Sequence, residues 1–127
     1  MVDRGKKVKI TNYKELEAWK EAHKLVVMIY ELVKSFPKDE TWGLSSQMKR
    51  AALSVSSNIA EGFGRFGSKE KLQFFNIARG SLIELDNQLS VALDVHYISN
   101  DTTTQFSLQV ELVHKLINGL RKYARNK

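Results

Sequence analysis

The sequence predicts an all-α protein, an antiparallel up-down-up-down four-helix bundle. Three observations carry that prediction. Apolar residues recur every three or four positions through four long segments. The alternation expected of strands is absent. The only proline, Pro37, sits where the first segment ends.

Helix 1 is expected over about residues 13–36. Asn12 with Glu15 three residues later forms a capping box. Leu16, Trp19, His23, Val26, Tyr30 and Val33 make one stripe, and Ala22, Leu25, Ile29, Leu32 and Phe36 make a second beside it. Together they are wider than a lone bundle needs to bury one helix. Pro37 ends the helix by restricting Phe36.

Helix 2 is expected over about residues 43–61, with Leu44, Met48, Ala51, Ala52, Val55 and Ile59 inward. Residues 51–60 are rich in Ala and Ser, which lets helix backbones approach closely. The loop 62–67 holds three glycines, and Ser68 is expected to cap helix 3. Helix 3 follows over about 69–96, with Leu72, Phe75, Ala78, Leu82, Leu85, Leu89 and Ala92 inward. Ser99-Asn100-Asp101 reads as a turn. Helix 4 covers about 103–124, with Phe106, Val110, Val113, Ile117, Leu120 and Ala124 inward. Short connections make sequential helices antiparallel neighbours.

The 127 residues form one domain, 43% hydrophobic and 27% charged, which is ordinary for a globular chain. The absence of cysteine excludes disulfides, thiolate metal sites and a cysteine nucleophile. No run reaches the length of a membrane span. The first residues have no apolar stretch behind them and do not read as a signal peptide, so a cytoplasmic location without membrane contact is expected.

The net charge of +6 is unevenly placed. Residues 1–9 carry four basic side chains and one acidic, and residues 121–127 carry four basic and none acidic. The 111 residues between carry 12 basic and 13 acidic. The excess therefore belongs to two basic tails, about 1–11 and 121–127. The up-down topology brings both tails and the 62–68 loop to one end of the bundle, where Arg65, Lys69 and Lys71 join them. The other end carries Asp39, Glu40, Asp94 and Asp101. Such a bundle presents a positive pole to a polyanion. Lys6, Lys7, Lys9, Arg65, Lys69, Arg121, Lys122 and Arg125 are the expected contacts, and binding through phosphates would be strongly salt-dependent.

Several motifs invite sharper readings. Residues 62–69 resemble a phosphate loop in glycine content, but the order is Gly-Ser-Lys and a helix precedes them, so nucleotide hydrolysis is rejected. Phe63 and Phe66 in the same loop are expected to plug the end of the core in preference to stacking on bases. Glu61 stands at a helix C-terminus, where the dipole disfavours a carboxylate. A structural ion pair with Arg65, Lys69, Arg79 or a neighbouring subunit is expected, over general acid–base work. Gly80, in mid-helix, suggests close approach of another helix. His23, on the apolar stripe, reads as a core-edge residue, and His96 as a helix C-terminal residue. The histidines lack metal-ligand spacing. Lys49 and Arg50 open a polar face with Gln47 and Ser54. No cofactor or metal is expected, and no catalytic set can be assembled.

One run is more specific than these. Phe36-Pro37, Leu44, Gln47, Arg50-Ala51-Ala52, Asn58-Ile59-Ala60-Glu61-Gly62, Ala78-Arg79-Gly80-Ser81-Leu82 and Glu84-Leu85 resemble the signature of the four-helix bundle proteins of bacterial 23S rRNA intervening sequences. The resemblance covers about residues 13–124. Asn58, Glu61, Gly62, Gly80, Ser81 and Glu84 are its structural motif, and Asp86-Asn87 depart from the family's common Glu-Thr. It implies a homo-oligomeric barrel, a pentamer, without known catalytic activity. The chain is also similar, at the level of fold, to the accessory barrel protein of diversity-generating retroelements, which works with a reverse transcriptase and binds nucleic acid. The expected function is thus a non-enzymatic, oligomeric binder of nucleic acid, RNA over DNA. The alternative is an adaptor that docks a protein such as a reverse transcriptase through the apolar face of helix 1.

Overall fold

The computed structural model describes residues 10–126. Among the described residues there are four α-helices: α1 (Glu17–Leu32), α2 (Leu44–Phe63), α3 (Ser68–Asp94) and α4 (Asn100–Arg125). Short 3-10 turns at Tyr13–Glu15, Val33–Ser35 and Lys38–Glu40 serve the ends of α1 and the first connection. No strand occurs among the described residues. At about 1.5 Å per residue, α3 and α4 are each about 40 Å long. Each helix packs on its sequence neighbours, and α4 returns to α1, which closes the four-helix bundle.

The periodic faces become the core. Leu25, Ile29, Met48, Val55, Ile59, Leu82, Leu85, Val113 and Ile117 are fully enclosed. Each such side chain contributes about 1.5–3 kcal/mol over an exposed one. Of the two stripes on α1, only the one through Ala22, Leu25 and Ile29 is enclosed. On the other, Val26 is buried, but Tyr30 and His23 are exposed. His23 is therefore a surface residue, its ring stacked on Trp19 at 4.7 Å.

The helix ends differ from expectation for local reasons. Asn12 caps only a 3-10 turn, accepting from the Lys14 amide at 2.9 Å, and an extended Leu16 separates that turn from α1. Ser68 is the first residue of α3, and the preceding Gly67 supplies no side-chain cap. α4 begins at Asn100, inside the expected turn, because Ser99 Oγ accepts from the Thr102 amide at 3.1 Å. α3 ends in a Schellman motif: His96 N–H donates to Leu93 O and Tyr97 N–H to Ala92 O, with His96 left-handed at φ 68°.

Contacts between distant segments define two poles. Tyr97 Oη donates to Glu40 Oε2 at 2.8 Å and the Tyr97 ring meets Phe36, so the first and third connections share one end. The chain start meets the end of α2, where Tyr13 shares a cleft with Gly64 and Arg65. Arg121 Nε donates to Asn76 Oδ1 at 2.7 Å, tying the last turns of α4 to the first turns of α3 at that same end. The antiparallel order places the poles as the sequence suggested.

Candidate functional site

The basic pole is built around the α2–α3 corner. Gly62 is buried, and a Cβ there would stand 2.6 Å from the Phe75 ring. That close approach lets the chain turn back on itself. Lys71 closes the corner by donating to the carbonyls of Gly62 and Phe63, at 3.2 and 2.8 Å, which satisfies free acceptors at the α2 C-terminus. Its ammonium also lies over the Phe63 ring. Lys71 is thus committed to the fold.

Arg65 is committed as well. It donates to Glu61 Oε2 at 2.6 Å, stands 4.0 Å from Glu70 and lies over the Phe74 ring at 4.8 Å. Glu61 therefore takes the first of its expected partners, in a half-exposed pair worth under about 1 kcal/mol. A second carboxylate, Glu70, does reach the neighbourhood, but the guanidinium stands between the two. Arg65 is for this reason a weaker phosphate contact than its sequence position suggested.

The free cations lie on α3 and α4. Lys69 and Lys122 are exposed with no carboxylate partner among the described residues. Arg121 donates to Asn76 and Asn118, both neutral. Burial holds its guanidinium below the ordinary arginine range, and the positive charges of Arg79 and Arg125 push in the same direction. Arg121 thus lies within the fields of two other arginines. Arg79 Nε is buried with no acceptor among the described residues. Sequence reasoning named Arg79 as a candidate partner for Glu61 and within the family-like run, not as a phosphate contact. Lys6, Lys7 and Lys9 lie outside the described residues.

Phe66 does not plug the core. It is fully exposed, at 101% relative accessibility, while Phe63 and Phe74 are half-buried and Phe75 is buried. Phe75 packs against Gly62, while Lys71 covers Phe63 and Arg65 covers Phe74. Gly80 is also unlike expectation: it is exposed and nothing lies within 4 Å of a Cβ built on it, so no helix of this chain approaches there.

The motif residues from distant parts of the chain converge on the α2–α3 seam. Asn58 Nδ2 donates to Ser54 O at 2.8 Å and to Ser54 Oγ at 3.1 Å, and Ser54 Oγ meets Ser81 Oγ at 2.7 Å. Gln47, Arg50 and Glu84 complete a shallow groove of about 190 Å³. Small hydroxyls let the two helices meet while satisfying one another. Lys49, next to Arg50, turns the other way and lies over the Tyr30 ring of α1, so the pair does not form one basic patch. No group of His, Asp and Glu among the described residues could hold a metal ion. No helix among them is long and apolar enough to cross a membrane.

A bundle with a serine-rich α2–α3 seam and segregated charge defines a class of small, all-helical proteins. The chain belongs to the 23S rRNA-intervening sequence protein family, whose family model matches residues 14–119. It is similar in fold to the crystal structure of a protein of unknown function from the S23 ribosomal protein family of Bacteroides thetaiotaomicron. The two are 20% identical, with a TM-score of 0.77 over 83% of this chain and 95% of that one. No curated protein matches the chain.

Proposed function

We propose that this protein is a non-enzymatic, oligomeric binder of nucleic acid, RNA in preference to DNA, that works through its basic pole. The observation that carries the reading is Arg121, which lies within the fields of Arg79 and Arg125 and has only the neutral Asn76 and Asn118 as hydrogen-bond partners. Like charges are costly to gather without an anion to neutralise them. Lys69 and Lys122 widen the patch; Lys6, Lys7 and Lys9, the remaining expected contacts, lie outside the described residues. Phosphates are the matching partner, since guanidinium groups bind them in two-pronged fashion.

Self-association multiplies that patch. An apolar groove of about 430 Å³ between α1 and α4, lined by Val27, Met28, Leu32 and Phe106, favours contact with another copy in a ring, a pentamer by family resemblance. The same groove supports the second reading, an adaptor that docks a protein partner there. The test is binding to RNA and DNA across a salt series, with the mass of the protein in solution recorded by light scattering. Affinity that falls steeply with salt, from a multimer, is expected. A multimer that ignores both nucleic acids at low salt would overturn the reading in favour of the adaptor.

A further inference from the structure

Two aromatic side chains of this protein are almost wholly exposed, Phe66 at 101% and Trp42 at 91%. They stand at opposite poles. Trp42 follows Asp39 and Glu40 in the first connection, at the end that also carries Asp94 and Asp101. Phe66 lies in the α2–α3 corner between Arg65 and Lys69, at the end where α4 finishes with Arg121, Lys122 and Arg125.

The corner does not require Phe66. Phe75 fills the space against Gly62, Phe63 lies under Lys71 and Phe74 under Arg65. The loop instead holds the fourth ring outward. Gly67 is itself extended and exposed, and the Phe66 side chain is fully exposed, so a flat partner can reach the ring. An aromatic face in a positive field fits one ligand chemistry well: a planar base joined to a phosphate. A base in a duplex is already stacked and cannot reach the ring, whereas an unpaired base can.

We propose that Phe66 is a stacking platform for an unpaired base of single-stranded RNA, with Lys69, Arg121, Lys122 and Arg125 holding the adjoining phosphates. The proposal rests on the basic-pole reading and deepens it: charge supplies attraction to any polyanion, and Phe66 supplies preference for single strands. Trp42 serves as the internal control, since an equally bare ring among carboxylates has no phosphates to gather.

The test compares binding of a short unstructured oligoribonucleotide with that of an RNA duplex of equal charge, at one salt concentration, for the full chain and three variants. Phe66→Ala is expected to weaken single-strand binding by about tenfold, within the range measured for loss of one stacked base. Duplex binding should stay within about twofold, because phosphate contacts are untouched. Phe66→Trp should restore single-strand affinity, and Trp42→Ala should leave it unchanged. If wild type binds RNA in a salt-dependent way but Phe66→Ala binds single strands equally well, the platform is overturned and the basic-pole reading stands. If wild type binds neither RNA at low salt, both fall. A change in assembly mass on Phe66→Ala would assign the ring to a protein contact and also overturn the platform.

Discussion

The two ends of the bundle handle charge in opposite ways. At the acidic end the key carboxylate is used by the fold. Glu40 accepts from the Leu44 amide at 2.9 Å and from Tyr97 Oη at 2.8 Å, so one side chain caps α2 and pins the α3–α4 connection. These bonds hold Glu40 below the usual carboxylate range and hold Tyr97 above the usual tyrosine range. At the basic end, Lys71 and Arg65 are likewise absorbed, but Arg79, Arg121 and Arg125 have no carboxylate partner among the described residues. Charge the fold has satisfied holds a corner together. Charge that no carboxylate neutralises is available to an anionic ligand.

The contrast makes graded predictions. The largest effect is expected from Arg121→Gln combined with Arg125→Gln. RNA affinity should fall by at least about tenfold, and the plot of log affinity against log salt should become shallower by about 1.4–1.8, for two lost phosphate contacts. Neutralising the other pole with Asp94→Asn and Asp101→Asn should leave affinity the same or slightly tighter. Equal losses from both pairs, measured by fluorescence anisotropy, would erase the distinction between the ends.

The next effects are on stability. Gly62→Ala forces a methyl into the Phe75 ring and should cost about 1–3 kcal/mol in urea unfolding. Gly80→Ala, in open space on α3, should raise stability by up to about 1 kcal/mol. A Gly80→Ala protein that instead lost assembly mass would place a neighbouring subunit against that face.

The two corners invert each other in a further respect. The basic-end corner uses glycine where a side chain would collide. The acidic-end corner puts His96 where glycine would be at ease, at φ 68°. His96→Gly should therefore stabilise the protein by about 0.5–1 kcal/mol, the left-handed cost reduced by the greater freedom of glycine in the unfolded chain. Thermal melting would register it.

The smallest effect concerns pH. The folded pKa of Glu40 is depressed, so its contribution is present above the ordinary glutamate pKa and is lost as pH falls through its lower folded value. The folded pKa of Tyr97 is raised, so its contribution is present below the ordinary tyrosine pKa and is lost as pH rises through its higher folded value. Glu40→Gln should flatten part of the acid limb of stability against pH. An unchanged acid limb would mean that the carboxylate does not hold this corner.

The core was legible because burial in a bundle follows helical period. Met48, Val55, Ile59, Leu82, Leu85, Val113 and Ile117 all fall where the period of 3.6 puts them. The pole assignment was legible for the same reason, since helix count and short connections fix which ends coincide. What escaped depends on three-dimensional competition. Phe66 is as apolar as Phe63, and only the packing of three other rings into the corner decides which one is left outside. Gly80 and Gly62 are the same residue on paired helices, and only the backbone path separates a tight contact from open space. Arg79 comes within the field of Arg121 on α4, some forty residues away, which no local pattern reveals. Asn58 and Ser81 were flagged by family resemblance, but their meeting through Ser54 needed the register of α2 against α3.

The most direct test of the two-ended account is photocrosslinking of the protein to bound RNA, with the attached peptides identified by mass spectrometry. The account predicts crosslinks within residues 64–71, 76–79 and 118–126, and none within 36–44 or 94–101. Crosslinks concentrated at the Glu40–Tyr97 end, or along α1, would contradict it.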